Sequence, residues 1–173
     1  MRFWRAFIVC ILLAAPAAAQ QSGPDILIID SERLYFETLY GRRLARELAT
    51  QASEVQAEND RIVETLTEEE RSLTLRRPDM TPEEFRAEAD AFDDKVQEVR
   101  RVRDAKNAEL QSANVAARAE FEERVQGVIV DVMLERGASI VMDRRSVILS
   151  VRAANITDDL IVRIDATLGD GTR

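Results

Sequence analysis

The sequence predicts an α+β fold in which a long antiparallel helical coiled-coil hairpin stands on a small β-strand body, followed by a short C-terminal helix. Three observations predict it. Residues 34–136 carry helix-period apolar spacing with one interruption, Arg77-Pro78-Asp79-Met80-Thr81-Pro82, and no glycine lies between Gly41 and Gly127. Short β-branched runs flank that stretch on both sides, Ile26-Leu27-Ile28-Ile29-Asp30 before it and Ser139-Ile140-Val141-Met142-Asp143 after it. Apolar positions in its two halves also fall into register with each other when read in opposite directions.

Residues 1–19 read as a secretory leader. Arg2 and Arg5 precede an apolar run, Phe7 to Ala15, that leads into Ala17-Ala18-Ala19, a small-residue cleavage pattern before Gln20. The run is shorter than the roughly 20 apolar residues that span a bilayer, and Cys10 lies inside it rather than at the cleavage point, which argues against a lipid anchor. Residues 20–173 are expected to form one domain outside the cytoplasm. Removing the leader takes away the only cysteine and the only tryptophan and leaves 22 basic against 32 acidic residues, with no histidine anywhere. Disulfide, thiolate and imidazole chemistry are thereby excluded. A net charge of −10 on the remaining 154 residues argues against nucleic acid as a partner.

Gln20 to Asp25 is a polar lead-in to the first strand, 26–30, whose continuous apolar run suits a strand covered on both faces. Asp30 or Ser31 caps a helix that opens with Leu34, Tyr35, Phe36, Leu39 and Tyr40 and is expected to continue to the prolines. Prolines four apart end one helix and begin another. The restart is marked by Thr81 as cap, Pro82 at the first helical position and Glu84 three residues on. The hairpin arm therefore covers 31–136, with its tip at 77–82.

Beyond Gly41 the apolar seam alternates steps of four and three through Leu48, Val55, Ile62, Leu66 and Leu73, with Ala52, Asn59 and Glu69 in the same row. The second helix repeats the alternation through Phe85, Phe92, Val96 and Leu110, with Ala89, Val99, Arg103, Lys106, Ala113 and Ala117. An antiparallel pair requires facing residue numbers to share a constant sum. At 158, Leu73 faces Phe85, Leu66 faces Phe92, Ile62 faces Val96, Leu48 faces Leu110 and Gly41 faces Ala117. Helices of about 40 residues give an arm of roughly 60 Å. The polar members of the seam predict an arm less stable than its base.

Gly137 is a helix stop. Residues 138–165 are expected to supply a strand ending at Asp143, a tight turn through Arg145, a returning strand Ser146 to Val151, and a last helix capped by Thr157 with Leu160 on its apolar side. Three short strands and a helix bury little area, and small cores without disulfides or metals usually depend on association. Ile26, Ile28, Ile140, Met142, Ile148 and Leu160 are the candidate assembly residues of this body.

The layout resembles the OmpH/Skp family of periplasmic chaperones. The likeness is carried by the leader, Ile26-Leu27-Ile28-Ile29-Asp30-Ser31, the helical hairpin, Ser139-Ile140-Val141-Met142-Asp143 and, most specifically, Asn155-Ile156-Thr157-Asp158-Asp159-Leu160-Ile161. It implies a periplasmic homotrimer whose strands form a β-body and whose three arms surround a cavity that holds unfolded outer-membrane β-barrel proteins. It implies an ATP-independent holdase and not an enzyme. The chain itself offers no phosphate-cradling glycine loop, and carboxylate pairs such as Glu84 and Glu88 are solvated helix charge. The triplet Glu68-Glu69-Glu70 points in different directions around a helix and makes a poor cation cage, so no cofactor or metal is expected. A structural coiled-coil spacer of the cell envelope is the alternative. Where the family's well-known members are basic, this chain is acidic, which argues against membrane or lipopolysaccharide contact. At the tip, Arg71, Arg76 and Arg77, beside Pro78 and Pro82, form a local basic cluster among many acids.

Overall fold

The computed structural model describes residues 25–172; the expected leader lies outside them. Strand β1 (Ile26–Ile29) pairs in parallel with β2 (Ile140–Asp143), Ile26 opposite Ile140 and Ile29 opposite Asp143. Parallel neighbours need a crossover connection, and here the crossover is the whole arm. Along the other edge of β1, Ile28 bridges to Asn155, and the Ile156 amide donates to the Ile28 carbonyl at 3.0 Å.

Helix α1 (Ser31–Glu37) starts where the Asp30 carboxylate accepts from the Arg33 amide at 3.0 Å. It ends after about two turns. Thr38 adopts an extended conformation (φ −72°, ψ 154°), and α2 (Leu39–Arg76) starts anew. The single helix expected from Ser31 to the prolines is therefore two helices, and the reason lies in the threonine. Its hydroxyl donates to the Leu34 carbonyl at 2.8 Å and accepts from the Gly41 amide at 3.2 Å, so one side chain finishes α1 and caps α2. Gly41 is required there, because a Cβ at that position would lie 1.8 Å from the Tyr35 carbonyl oxygen.

A turn at 77–79 leads into α3 (Pro82–Glu135), whose start is a complete capping box between Thr81 and Glu84. Burial of the pair is negligible, yet the Thr81 amide and hydroxyl both donate to Glu84 and hold its carboxyl below the usual range. At the far end Gly137 takes φ 66°, and the amides of Gly137 and Ala138 return to the carbonyls of Leu134 and Met133, a left-handed helix stop that suits glycine. At about 1.5 Å per residue α2 is roughly 57 Å long and α3 roughly 81 Å, so the surplus of α3 runs down beneath the sheet.

The core forms there. Leu27 and Ile29 face Phe121, Val125, Val128 and Val132 of α3, with Leu34 and Tyr35 of α1 and Tyr40 and Leu44 of α2 closing one side. Helix α4 (Thr157–Leu168) completes it with Leu160 and Ile164, both fully buried.

Two further expectations are corrected. Ser146 to Val151 forms no returning strand: the Asp143 carboxylate caps a tight 144–146 turn, and β2 is paired with β1 rather than with its own continuation. Ile148, expected within the body, is fully solvent-exposed. Nor does Thr157 cap α4. Its amide and hydroxyl both donate to the Asn155 carboxamide oxygen, and its buried hydroxyl accepts from the Asp30 amide at 3.0 Å. Thr157 thus ties the last helix to the end of the first strand.

Candidate functional site

The arm is held by one thin seam. Leu48, Val55, Ile62 and Leu66 on α2, and Phe85, Phe92, Val96 and Leu110 on α3, are half-buried. Between Leu44 and Phe121 in the chain only Leu73 is buried. Asn59, Glu69 and Lys106 share the half-buried row, whereas Ala52 and Arg103 are exposed. A 360 Å³ gap is bordered by Val55, Lys106 and Leu110. Two ion pairs cross between the helices, Arg76 with Glu88 and Lys95 with Glu69, both with residue numbers summing to 164, while Arg77 meets Phe85 at 162 and Tyr40 meets Phe121 at 161. The expected facing sum of 158, with Leu73 opposite Phe85 and Leu66 opposite Phe92, is therefore corrected: the helical turn at 77–79 carries the line of α2 onward before the chain reverses, which shifts the pairing by about one helical turn. Exposed pairs of this kind contribute about 0–1 kcal/mol each, so they set register more than stability.

At the tip the basic residues are engaged. Arg76 binds Glu88 through two hydrogen bonds, at 3.1 and 2.6 Å, and that pairing lowers the Glu88 carboxyl below its usual range. The Arg77 guanidinium lies 4.9 Å from the centre of the Phe85 ring. Pro78 sits in the turn and Pro82 at the first position of α3.

The base has two apolar surfaces. Strand alternation sends Leu27, Ile29 and Val141 toward the helices and Ile26, Ile28, Ile140 and Met142 to the other face of the sheet. On that outer face Ile28 is buried, but Ile26 and Ile140 are 42% and 47% exposed. The Val147 to Val151 segment adds Ile148, Leu149 and Val151, among the most exposed apolar side chains in the molecule. The second surface is a 620 Å³ groove between α1 and α3, floored by Leu34, Tyr35, Phe121, Val125 and Ile129 and edged by Glu32, Arg118, Glu122, Glu123 and Arg145.

Electrostatics fix the edge of that groove. Burial disfavours the Asp143 charge, but the Ser31 amide and the Arg145 amide and guanidinium all donate to it, holding its carboxyl well below the usual range. Glu32 meets both Arg118 (3.3 Å) and Arg145 (3.8 Å). Arg118 in turn lies over the rings of Tyr35 and Phe36. Deeper in, Tyr40 donates to Glu120 at 2.6 Å; burial and that acceptor push its phenol up to about 12. Among the described residues no cluster of acidic, histidine or cysteine side chains could hold a metal ion, and no helix is long and apolar enough to cross a membrane. The described residues thus present two apolar surfaces at the base and an arm with a thin seam.

These features match a known pattern. A sequence profile described as outer membrane protein (OmpH-like) matches residues 25–164, from the start of β1 into α4. The chain belongs to the OmpH-like family. Among solved structures, the OmpH-like fold is similar to that of a Caulobacter crescentus CB15 protein assigned as an OmpH-like outer membrane chaperone. The TM-score is 0.77 at 22% identity, covering 84% of this chain and 86% of that one. Curated protein sequences give no match.

Three features of this OmpH-like chain lie outside the periodic seam. Thr38 and Gly41 break the first helix, and the Thr-x-x-Gly spacing at the edge of the aromatic cluster is the available signal. The Asp165 carboxylate accepts from the Leu39 amide at 2.7 Å, a tether that local sequence does not encode. The α1–α3 groove follows from the same break, because α1 turns away from the line of the arm.

Proposed function

We propose that this protein is an ATP-independent periplasmic holdase that assembles through its base, as a homotrimer, and retains unfolded outer-membrane β-barrel proteins between its arms. The observation that carries this reading is the contrast between the two ends of the molecule. The base leaves apolar side chains exposed: Ile26 and Ile140, paired on one face of the sheet, and Ile148, Leu149 and Val151 in the segment after it; exposed apolar surface of this kind marks interaction sites. The arm reaches outward on a seam in which only Leu73 is buried, so it can bend and splay at low cost. Several such arms around one base would enclose a chain and keep its unpaired strand edges from aggregating. Family membership and the name given to the Caulobacter protein support the same reading.

Release needs no nucleotide in this scheme, since a client leaves by folding elsewhere. Lipid or lipopolysaccharide has no role in it: Arg76 is neutralised by Glu88, and the surface is strongly acidic. A spacer that bundles with other coiled coils finds less support, because the exposed Val63, Leu75, Val102 and Val115 do not form a second seam.

The test mixes purified protein with a urea-unfolded outer-membrane barrel and follows light scattering on dilution. Suppression of aggregation at one assembly per client is expected, with native mass measurement giving three chains. Unchanged aggregation at that ratio would refute the holdase.

A further inference from the structure

The two helices of the arm are anchored at the base in different ways. Helix α3 runs unbroken from the tip into the core, where Phe121, Val125, Val128 and Val132 are buried. Helix α2 is severed from α1 by the extended Thr38 and buries only Tyr40, Gly41 and Leu44 near its root. Helix stability in proteins comes mostly from such packing, so α2 is the weaker attachment. A segment that follows α4 reinforces it.

Helix α4 stops at Gly169, which takes φ 58°, and Gly171 follows at φ 78°, both on the left-handed side that glycine favours. They turn the chain toward α2. There the Asp170 carbonyl accepts from the Arg43 guanidinium at 2.7 Å, and Gly171 packs so closely on the Tyr40 ring that a Cβ would collide with it. The Gly171 amide donates to the Leu168 carbonyl at 2.9 Å, and the Asp170 carboxylate accepts from the amide and hydroxyl of Thr172. Gly169 to Thr172 is thus shaped by its own hydrogen bonds. Both side chains it touches serve the arm. Tyr40 is buried, donates to Glu120 of α3 at 2.6 Å and packs on the Phe121 ring, while Arg43 lies over Tyr40 and pairs with Glu47 one turn along α2. Asp170 and Thr172 are exposed, so the segment can lift without opening the core.

We propose that Gly169 to Thr172 is a clasp that sets how readily the root of α2 parts from α3. Seated, it closes over Tyr40 and holds Arg43. Lifted, it opens the Tyr40–Glu120 bond to water and leaves the root of α2 held by Leu44, the Thr38 cap and the Asp165 carboxylate at the Leu39 amide. Beyond Leu44 no residue of α2 is buried until Leu73, so parting at the root spreads along the arm while α3 stays fixed in the core. The compliance of the arm is thereby governed from outside it. The clasp acts on the arm itself and does not depend on what the arm grips.

Hydrogen exchange read by mass spectrometry on the purified protein tests the clasp with two variants. Gly171→Val places a side chain at a positive φ and against the Tyr40 ring, and a chain ended after Leu168 removes the clasp without adding a side chain. In both, amides from Arg42 to Gln51 of α2 should exchange about tenfold faster than in the parent, with residues 117–132 of α3 and 26–29 of β1 unchanged. Unchanged exchange at the root of α2 in the shortened chain overturns the clasp. Equal acceleration in α2, α3 and β1 overturns it as well, since the segment would then support the base as a whole. Should Gly171→Val fail to fold, the shortened chain decides alone.

Discussion

The backbone amide of Leu39 donates to the Asp165 carboxylate at 2.7 Å, so the first residue of the long arm helix is held by the last helix of the chain. Nearby, the Arg43 guanidinium donates to the Asp170 carbonyl, also at 2.7 Å. The root of the arm is thus gripped from the C-terminal side, close to where Thr38 interrupts the helix.

Asp165→Ala should remove a cap from α2 and cost about 1 kcal/mol, a fall in Tm of about 2–4 °C for a chain of this size. Asp165→Asn, which keeps an acceptor oxygen, should lose less. Thermal denaturation followed by circular dichroism measures both, and equal losses would show that the hydrogen bond is not what matters.

Glycine substitutions should have opposite signs at two helical positions. Gly41→Ala forces a methyl group to 1.8 Å from the Tyr35 carbonyl oxygen and must either straighten the α1–α2 break or push the helices apart, at a cost of about 1–3 kcal/mol. Gly127→Ala meets nothing within 4 Å and should stabilise α3 by about 0.5–1 kcal/mol. Urea midpoints of the two variants decide it; a neutral Gly41→Ala would mean the break is not needed.

Acid should weaken the joint between β2 and α1. The folded Asp143 carboxyl titrates below the ordinary value of about 3.9, so its contribution is complete above that value and is lost as pH falls below about 4 toward the folded value. Asp143→Asn removes the charge at every pH. The stability gap between the parent and this variant should be widest near neutrality and narrow below about pH 4. A gap that stays constant down to pH 2 would show that the charge contributes nothing.

Base and arm should respond differently to aromatic truncation. Phe121, 3% exposed, stacks edge-on against Tyr35 at 5.2 Å, and Phe121→Ala should cost about 3–5 kcal/mol. Phe92 is half-buried in the seam, so Phe92→Ala should cost less and act locally, accelerating hydrogen exchange in the arm while leaving exchange at β1 unchanged. Faster exchange in both regions would mean that arm and base unfold together.

The arm was legible in the sequence because its information is periodic and local. Pro78, Pro82, Thr81 and Glu84 mark the tip by chemistry that operates within four residues, but the facing register was not fixed by the heptads, because it depends on how far the turn at 77–79 carries α2 before the chain reverses. The base was legible only in part. Ile26–Ile29 and Ile140–Asp143 read as strands, but their parallel pairing depends on where α3 delivers the chain, with Ile140 lying 111 residues after Ile29. Ser146 to Val151 has the β-branched composition of a strand, and composition cannot supply a partner. Thr38 hides among helix formers, since the same threonine inside a straight helix would bond back to the carbonyl four residues earlier, as Thr50, Thr65, Thr67 and Thr74 do. What distinguishes it is Gly41 and the tertiary contact from Asp165.

The parallel pairing of β1 with β2 has a kinetic consequence. β1 cannot pair until the strand that completes it arrives, and closing so long a loop by diffusion is slow. Zipping of the arm from its proline tip replaces that search with a series of short, local steps and delivers both strands in register. The two helices then work as matched lengths of a ruler. Removing one seven-residue layer from each should leave the sheet intact, whereas removing it from one alone should misalign Ile26 and Ile140 by a full layer.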